Sequence, residues 1–496
     1  MEIVLKNSKN KYLEIFSLLD IDNLHETFKR FSSIKEPLEA KIFAVNESIS
    51  SHQLSKLKNH FDKINIRSLC ICSSNRDTVL AGKSLRIDST FFRAAHLDWL
   101  GNSYLNEINL SEMQLEDELQ KIFPSNLNST KIIFGKPIIK TDESGIHIDF
   151  DLFGTCFFLM TRYEEAVLKC KDLHERFPYH ETIAFKHGFL NRPMVNEYLL
   201  ILSYYLKKLW RVELNQPNFQ LEISCDVDHP FDTSYLSIYK ALRRSGRLLL
   251  HGRLDLSVKV FLNYIVKKFD TNNYKFDYLL NNLLWMIKEN TKANNSVTFN
   301  FIPYQTSNKY DDISYFSSKK MSWVLSKILK GKHIIGIHPG YNSSDNKEIL
   351  SKSLDLFKRK INTLNISESK ITSRMHYLRF NIIKTFEQLS REGIFSDSSM
   401  GFPNYPGFRA SICYEYKMYN LTKRQTLDIL QKPLIIMDDA LIGNRGMNLG
   451  MTDKAIDKFE EFKTTVQHYN GVLTVLWHNS YFEDFKSREI YRRIIS

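Results

Sequence analysis

FQLEISCDVDHP, residues 219–230, is the stretch on which the fold turns: an apolar run that reads as a strand and ends in a turn bearing Asp226, Asp228 and His229. Runs of the same kind recur downstream. VTFNFIP (297–303), IIGIHPGYNSS (334–344), KITSRMHYLRF (370–380), GIFSDSSMGF (393–402), PLIIMDD (433–439) and GVLTVLWHNS (471–480) mostly end in polar residues, and helical stretches separate them. Strands alternating with helices imply parallel βαβ units. About seven such strands predict an α/β fold with a C-terminal (β/α) barrel over 215–490. In such barrels chemistry gathers at the C-terminal strand ends.

Upstream the pattern changes. KIFAV (41–45), SLCICS (68–73) and TVLAG (78–82) predict an N-terminal α/β region over 1–90, within an N-terminal domain of α/β or α+β type. A second region, 91–214, holds the strand-like runs KIIFGKPII (131–139) and IHIDFDLFG (146–154). The helix FFLMTRYEEAVLKC (157–170) follows, its Arg162, Glu164 and Glu165 reading as a structural ion-pair network. VNEYLLILSYYLKKLW (195–210) has helical apolar spacing and is expected to bridge the two halves. Within the barrel a helical insertion spans 241–295. Its basic part, 241–269, suits a solvated lid over the barrel mouth or a peripheral contact with an anionic membrane.

Composition narrows the classes. Hydrophobic residues are 43% and charged residues 25%, which is ordinary globular usage and excludes a mainly disordered chain. Gly (18) and Pro (12) are too few for collagen or linker-rich architectures. The net charge of +12 is spread along the chain without a basic-aromatic recognition motif, so nucleic acid is not an expected partner. Six Cys without a CxxC pair exclude a zinc ribbon and suit a reducing compartment. MEIVLKNSKNKYLEIFSLLD (1–20) is too charged for a signal peptide, and no apolar run of about 18 residues suggests a transmembrane helix. The expectation is a cytoplasmic protein. The oligomeric state is open.

Two carboxylates at i and i+2 past a strand, Asp226 and Asp228, can divide labour: one binds a cation while the other serves as a base. His338 and His478 sit at further strand ends, as do Asp397 and the pair Arg374 and His376. Five successive strand ends thus present ionisable side chains to one rim.

In order and placement these motifs resemble the polysaccharide deacetylase superfamily, the carbohydrate esterase family 4 type. SCDVDHP resembles its first motif, IGIHPGYNSS the second, SRMHY roughly the third, SDSSMGF the fourth and LTVLWHN the fifth. FDLFGTCFFLMTRYEEA (150–166) and AFKHGFLNRPMVNEY (184–198) resemble the uncharacterised N-terminal region joined to such domains in a bacterial subgroup. The resemblance implies a hydrolase that uses a divalent metal, zinc being the best match, to remove N-acetyl groups from a glycan or glycan precursor of surface-polysaccharide metabolism. It implies Asp226 as the base, Asp228 and His338 as metal ligands, His478 as the acid, Asp397 as its orienting partner and Arg374 as the group holding the base. The second motif usually carries two His four residues apart; Asn342 stands at the later position here, and His376 is its expected substitute. Tyr341, Asn342, Arg409 and Trp477 are the expected substrate contacts, Arg409 also offering an alternative supporting cation. Two rival readings use the same residues: a catalytically impaired sugar-binding barrel, and a metal-dependent glycosyltransferase using Asp226 and Asp228. The second lacks a glycine-rich loop and leaves His338 and His478 without a task.

Overall fold

The computed structural model describes residues 84–496 except 144, 211–216, 251, 313 and 483, together with the backbone of 2–6, 12–17, 38–44 and 66–73. The chain forms two compact units, each assembled from separated segments. Residues 1–220, 407–433 and 464–472 make the first; 221–406, 434–463 and 473–496 make the second.

The first unit is built on a mixed sheet. Among the described residues its strands are β1 (Glu2–Lys6), β2 (Tyr12–Ser17), β3 (Leu38–Ala44), β4 (Ile66–Ser73), β5 (Ser84–Asp88), β6 (Ile108–Gln114), β7 (Ser129–Asp142) and β8 (Gly145–Phe150). They lie in the order β2-β1-β3-β4-β5-β8-β7-β6. Residues 41–44 of KIFAV fall in β3 and SLCICS falls in β4; Val45 and TVLAG lie outside the described residues.

The helix Leu152–Met160 is buried on every side, as its unbroken apolar sequence dictates. Asp151 caps it by accepting from the Gly154 N–H at 2.6 Å. Phe91 meets Tyr163 edge to face at 5.1 Å and packs on Phe134 and Phe158. Arg162 pairs with Glu164 at 2.6 Å and Glu165 at 2.8 Å, and Arg409 with Glu165 at 2.7 Å, all four buried or nearly so. This is the ion-pair network expected around the helix, with Arg409 as an added member. Segment 407–433 contributes the antiparallel hairpin β14 (Tyr416–Asn420) and β15 (Gln425–Gln431). It is tied in by Cys413 N–H to Asn196 Oδ1 (3.1 Å) and by the Tyr416 hydroxyl to the Met160 carbonyl (2.8 Å).

In the second unit the strands are β9 (Gln220–Val227), β10 (Val297–Phe301), β11 (Ile334–Ile337), β12 (Thr372–Ser373), β13 (Ser396–Asp397), β16 (Ile436–Met437) and β17 (Val472–Leu476). Their spatial order is β13-β12-β11-β10-β9-β17-β16. Each neighbouring pair from β9 to β13 is parallel, as is β16 with β17. The fold is therefore mixed α/β with a run of parallel strands. The hydrogen-bond ladder is not closed between β13 and β16; a bond from the Leu434 N–H to the Met400 carbonyl joins the segments flanking them. β12, β13 and β16 span two residues each, too short for an extended ladder.

Helices Tyr278–Lys292, Lys319–Lys330 and Lys347–Asn362 connect β9 to β12. Their first turns are capped by Asp277, Ser318 and Asn346. The insertion forms helices Ile238–Leu250 and Leu254–Phe269 ahead of Tyr278.

Asp277 anchors that region: its carboxylate caps Leu280 and accepts the Asp232 N–H. Burial lifts its carboxyl to about 6, against the opposing pull of those backbone N–H groups. In an unfolded chain the group titrates near 4. Between about pH 4 and 6 the folded protein holds a proton that the unfolded chain has lost. Stability therefore falls as pH rises through that window, by up to about 3 kcal/mol. Denaturation midpoints at about pH 4 and pH 7 are expected to show this loss, and Asp277→Asn is expected to flatten it. An unchanged slope in the variant would remove Asp277 as the cause.

Candidate metal centre and active site

The site is assembled at the C-terminal ends of the second unit's strands. Asp226 lies within β9 and Asp228 just past it. His338 follows β11 directly, Arg374 and His376 follow β12, Asp438 follows β16, and His478 lies just past β17. His376 opens a tight turn in which Tyr377 (φ 62°) and Leu378 (φ 51°) both adopt the left-handed conformation. Strain of this kind persists where surroundings over-determine a position.

Asp228, His338 and His376 converge so that one ligand atom from each lies within 4.8 Å of the others. Asp228 Oδ1 is 3.3 Å from His338 Nε2 and 3.5 Å from His376 Nε2. Two donors held about 2.1 Å from a tetrahedral ion stand ~3.4 Å apart, so both spacings suit a shared cation. The far ring nitrogens fix the tautomers. His338 Nδ1 donates to the Arg374 carbonyl at 2.5 Å, and His376 Nδ1 donates to the Asp311 carboxylate at 2.7 Å. In each neutral ring the Nε2 lone pair therefore faces the Asp228 carboxylate. Lone pairs aimed at a carboxylate repel unless a cation or a proton intervenes. Asp228 Oδ1 is buried without a hydrogen-bond partner, and that orphaned oxygen fits a bound ion. Burial would raise the Asp228 carboxyl, but His376, His338 and His478 together hold it well below the usual carboxylate range. Burial would lower His338, but Asp226 and Asp228 push it up.

Asp311 orients His376 in the way that carboxylates orient metal-bound imidazoles. It is itself held by the N–H groups of Thr306, Ser307 and Tyr341 and by the Thr306 hydroxyl. Although burial opposes it, the His376 and Thr306 hydrogen bonds bring the Asp311 carboxyl down to about 2. Gly340, in the HPG turn after β11, makes room for it. A Cβ there would lie 2.7 Å from Asp311 Oδ2 and 2.8 Å from the Thr306 side chain.

Asp226 stands beside this cluster, its Oδ2 3.8 Å from His338 Nε2. The Asn300 amide donates to its Oδ1 at 2.8 Å, and Arg374 Nε lies 3.8 Å from the same oxygen. Arg374 is in turn held by the hydroxyls of Ser224 and Ser398. Gly336 on β11 permits this arrangement, since a Cβ would meet Asn300 Oδ1 at 2.1 Å.

On the other flank, His478 Nε2 lies 3.8 Å from Asp228 Oδ2. Its Nδ1 faces both oxygens of Asp438 at 2.9 Å, and its backbone N–H also reaches Asp438. Burial would depress this imidazole, but Asp438, Asp228 and Asp226 raise it to about 10.

Several expected residues fall elsewhere. Asp397 is not the partner of His478: its carboxylate accepts the Ser373 hydroxyl and the Ser399 N–H and hydroxyl, and it braces the turn after β13. Asp438 takes the orienting position instead. The Asn342 Nδ2 donates to the Thr306 carbonyl, which ties the side chain to that loop. Arg409 belongs to the first unit and is chelated by Glu165. Trp477 is fully buried against Tyr491, which removes it as a surface for substrate. Tyr341 is largely buried, stacked on Tyr310 at 4.2 Å between ring centroids. Asp438, Asp311 and Asn300 are not among the residues that sequence reading singles out. For Asp438 a signal exists, because PLIIMDD ends in carboxylates like the other strands.

Comparison with known proteins adds three findings. Residues 38–211 match a family model described as a family of unknown function, DUF7033. A curated relative, the "Probable septum site-determining protein MinC" of Prochlorococcus marinus subsp. pastoris (strain CCMP1986 / NIES-2087 / MED4), is 35% identical over 98 residues. That match covers 20% of this chain and 44% of the relative, so the chain spans less than half the length of the relative it matches. Among solved structures, a "putative polysaccharide deacetylase from Mycobacterium smegmatis" aligns with a TM-score of 0.37 at 12% identity, covering 57% of this chain and 84% of that one.

Proposed function

We propose that the second unit is a metal-dependent hydrolase that removes N-acetyl groups from a glycan or glycan precursor of surface-polysaccharide metabolism. On this reading its seven strands form an incompletely closed (β/α) barrel. The observation that carries the reading is the convergence of Asp228, His338 and His376, with a carboxylate, Asp226, on one flank and a carboxylate-held imidazole, His478, on the other. One oxygen and two imidazole nitrogens form a borderline donor set that suits zinc with positions left open. Such an ion, when bound, polarises a carbonyl and makes a water acidic.

The remaining work falls to the chain. Asp226 takes the proton from the attacking water, and Asn300 and Arg374 hold its carboxylate in position. His478 gives a proton to the departing amine, which is too basic to leave as an anion, and Asp438 fixes the ring that delivers it. The two proton-handling groups approach the trio from different flanks, so that one can act as base and the other as acid.

The test is release of acetate from N-acetylglucosamine oligomers by the full chain, after chelation and again after zinc is restored. Turnover that disappears with chelation and returns with zinc is expected. Saccharide binding without turnover in zinc-loaded protein would replace this reading with the sugar-binding one.

A further inference from the structure

The helical insertion carries a surface that the hydrolytic site does not use. In helix Ile238–Leu250, Ala241 and Ser245 are buried and Leu248 packs against the Leu256, Val260, Tyr278 and Leu279 cluster. Its outer surface splits in two. Ile238, Leu242 and Leu249 fall on one side with Tyr239 and Leu250; Lys240, Arg243, Arg244 and Arg247 fall on the other. Helix Leu254–Phe269 repeats the apolar half. Leu254, Val258, Phe261, Ile265 and Phe269, spaced i, i+4, i+7, i+11 and i+15, are all exposed, with Leu254 at 64% and Phe269 at 88%. The two helices are joined by reciprocal bonds: each of Ser245 and Ser257 donates its hydroxyl to the other's carbonyl. This is therefore a folded element, with apolar side chains turned away from the core it packs on.

Charge selects the occupant. From 238 to 269 the sequence has eight Lys or Arg residues, of which Lys267 is buried, and a single acid, Asp255, a net of +7 out of the chain's +12, so the positive excess is concentrated here and not spread evenly along the chain. Lys240, Arg243, Arg244, Arg247 and Arg253 line a cavity of about 560 Å³ with Ser234, large enough for a phosphate-bearing headgroup. Asp232 also lines it, its carboxylate bound by the Ser234 N–H and hydroxyl. A second copy docking by two-fold symmetry would set the same net positive surface against itself. An anionic lipid surface neutralises the cations and accepts the apolar side chains at the same time. We propose that this hairpin docks on membranes rich in anionic phospholipid, its apolar residues entering the headgroup boundary and its cations meeting lipid phosphates. The proposal is independent of the hydrolase reading.

The test is co-sedimentation of the full chain with vesicles of phosphatidylcholine alone or mixed with phosphatidylglycerol. Binding is expected only with phosphatidylglycerol, weakening as salt rises. Each cation at such a surface is worth roughly a five-fold change in partitioning, so Arg243→Glu with Arg247→Glu should weaken binding by about 25-fold or more. Leu250→Ser with Phe269→Ser should weaken it comparably. All four side chains are exposed, so melting temperatures should stay near that of the unaltered protein. Absence of binding to anionic vesicles, or binding indifferent to both double variants, would overturn the proposal. So would a solution dimer that Leu250→Ser with Phe269→Ser splits, since the face would then belong to a second copy.

Discussion

Asp228→Ala is expected to weaken zinc binding by more than about 100-fold. Even residues that only orient metal ligands are typically worth about 10–100-fold in affinity, and Asp228 is the carboxylate on which both imidazoles converge. His376→Ala should approach the same loss, because its Nε2 supplies the third position of the trio. Asn342→Ala should leave affinity within a few-fold, since the trio is formed by Asp228, His338 and His376 and the Asn342 Nδ2 is held on the Thr306 carbonyl. Zinc titration by calorimetry gives the affinities directly. A second readout needs no turnover: zinc at 100 times its dissociation constant stabilises the folded state by about 2.7 kcal/mol, so melting temperature should rise with zinc in the unaltered protein and not in Asp228→Ala. Equal losses in the Asn342 and His376 variants would show that the later His of the expected motif has no replacement in His376.

Asp438→Asn is expected to reduce kcat by roughly 10²–10⁴-fold while leaving zinc affinity within a few-fold. The carboxylate faces His478 Nδ1 with both oxygens and also takes its backbone N–H, so it sets both the ring's orientation and its charge. Asparagine keeps the volume and loses the charge, and the imidazole then holds its proton less tightly. Asp397→Asn is the informative comparison. Asp397 braces Ser373 and Ser399, so its loss should appear in melting temperature more than in turnover per folded molecule. A fall in kcat at constant KM for Asp438→Asn, with Asp397→Asn near the unaltered value, is the expected pattern. The reverse pattern would return the orienting role to Asp397.

Much of the site is legible in the chain because parallel strands bring residues from distant sequence positions to one end. Asp226, Asp228, His338, Arg374, His376 and His478 each lie at or just past a strand, where the change from apolar to polar marks the position. His376 is recoverable as a substitute ligand for the same reason. What escapes has no such mark. Asp311 sits in a loop, and only the folded path past Gly340 carries it to His376. Asn300 lies inside β10, where a polar residue in VTFNF reads as an ordinary alternation. Trp477 and Arg409 mislead in the opposite direction. Neighbouring sequence suggests a site, but a residue next to His478 in an extended segment points to the opposite face, and GFRAS folds with the first unit.

That last membership also orders events during synthesis. The first unit draws on residues 407–433 and 464–472, so more than half the chain must be made before its last piece exists. Translation at about 5–20 residues per second puts roughly ten seconds to a minute between residue 220 and residue 472. During that interval Asn196, Met160 and Glu165, which bond to Cys413, Tyr416 and Arg409 in the finished protein, wait without those partners. Buried polar groups left unpaired are costly, so the nascent N-terminal portion is held short of its final stability until the C-terminal segments arrive. A gene cut near residue 220 would therefore divide the first unit's core between two fragments, one missing segments 407–433 and 464–472 and the other carrying them without the rest of that unit, and coexpressing the two as separate chains should rescue solubility better than producing either alone.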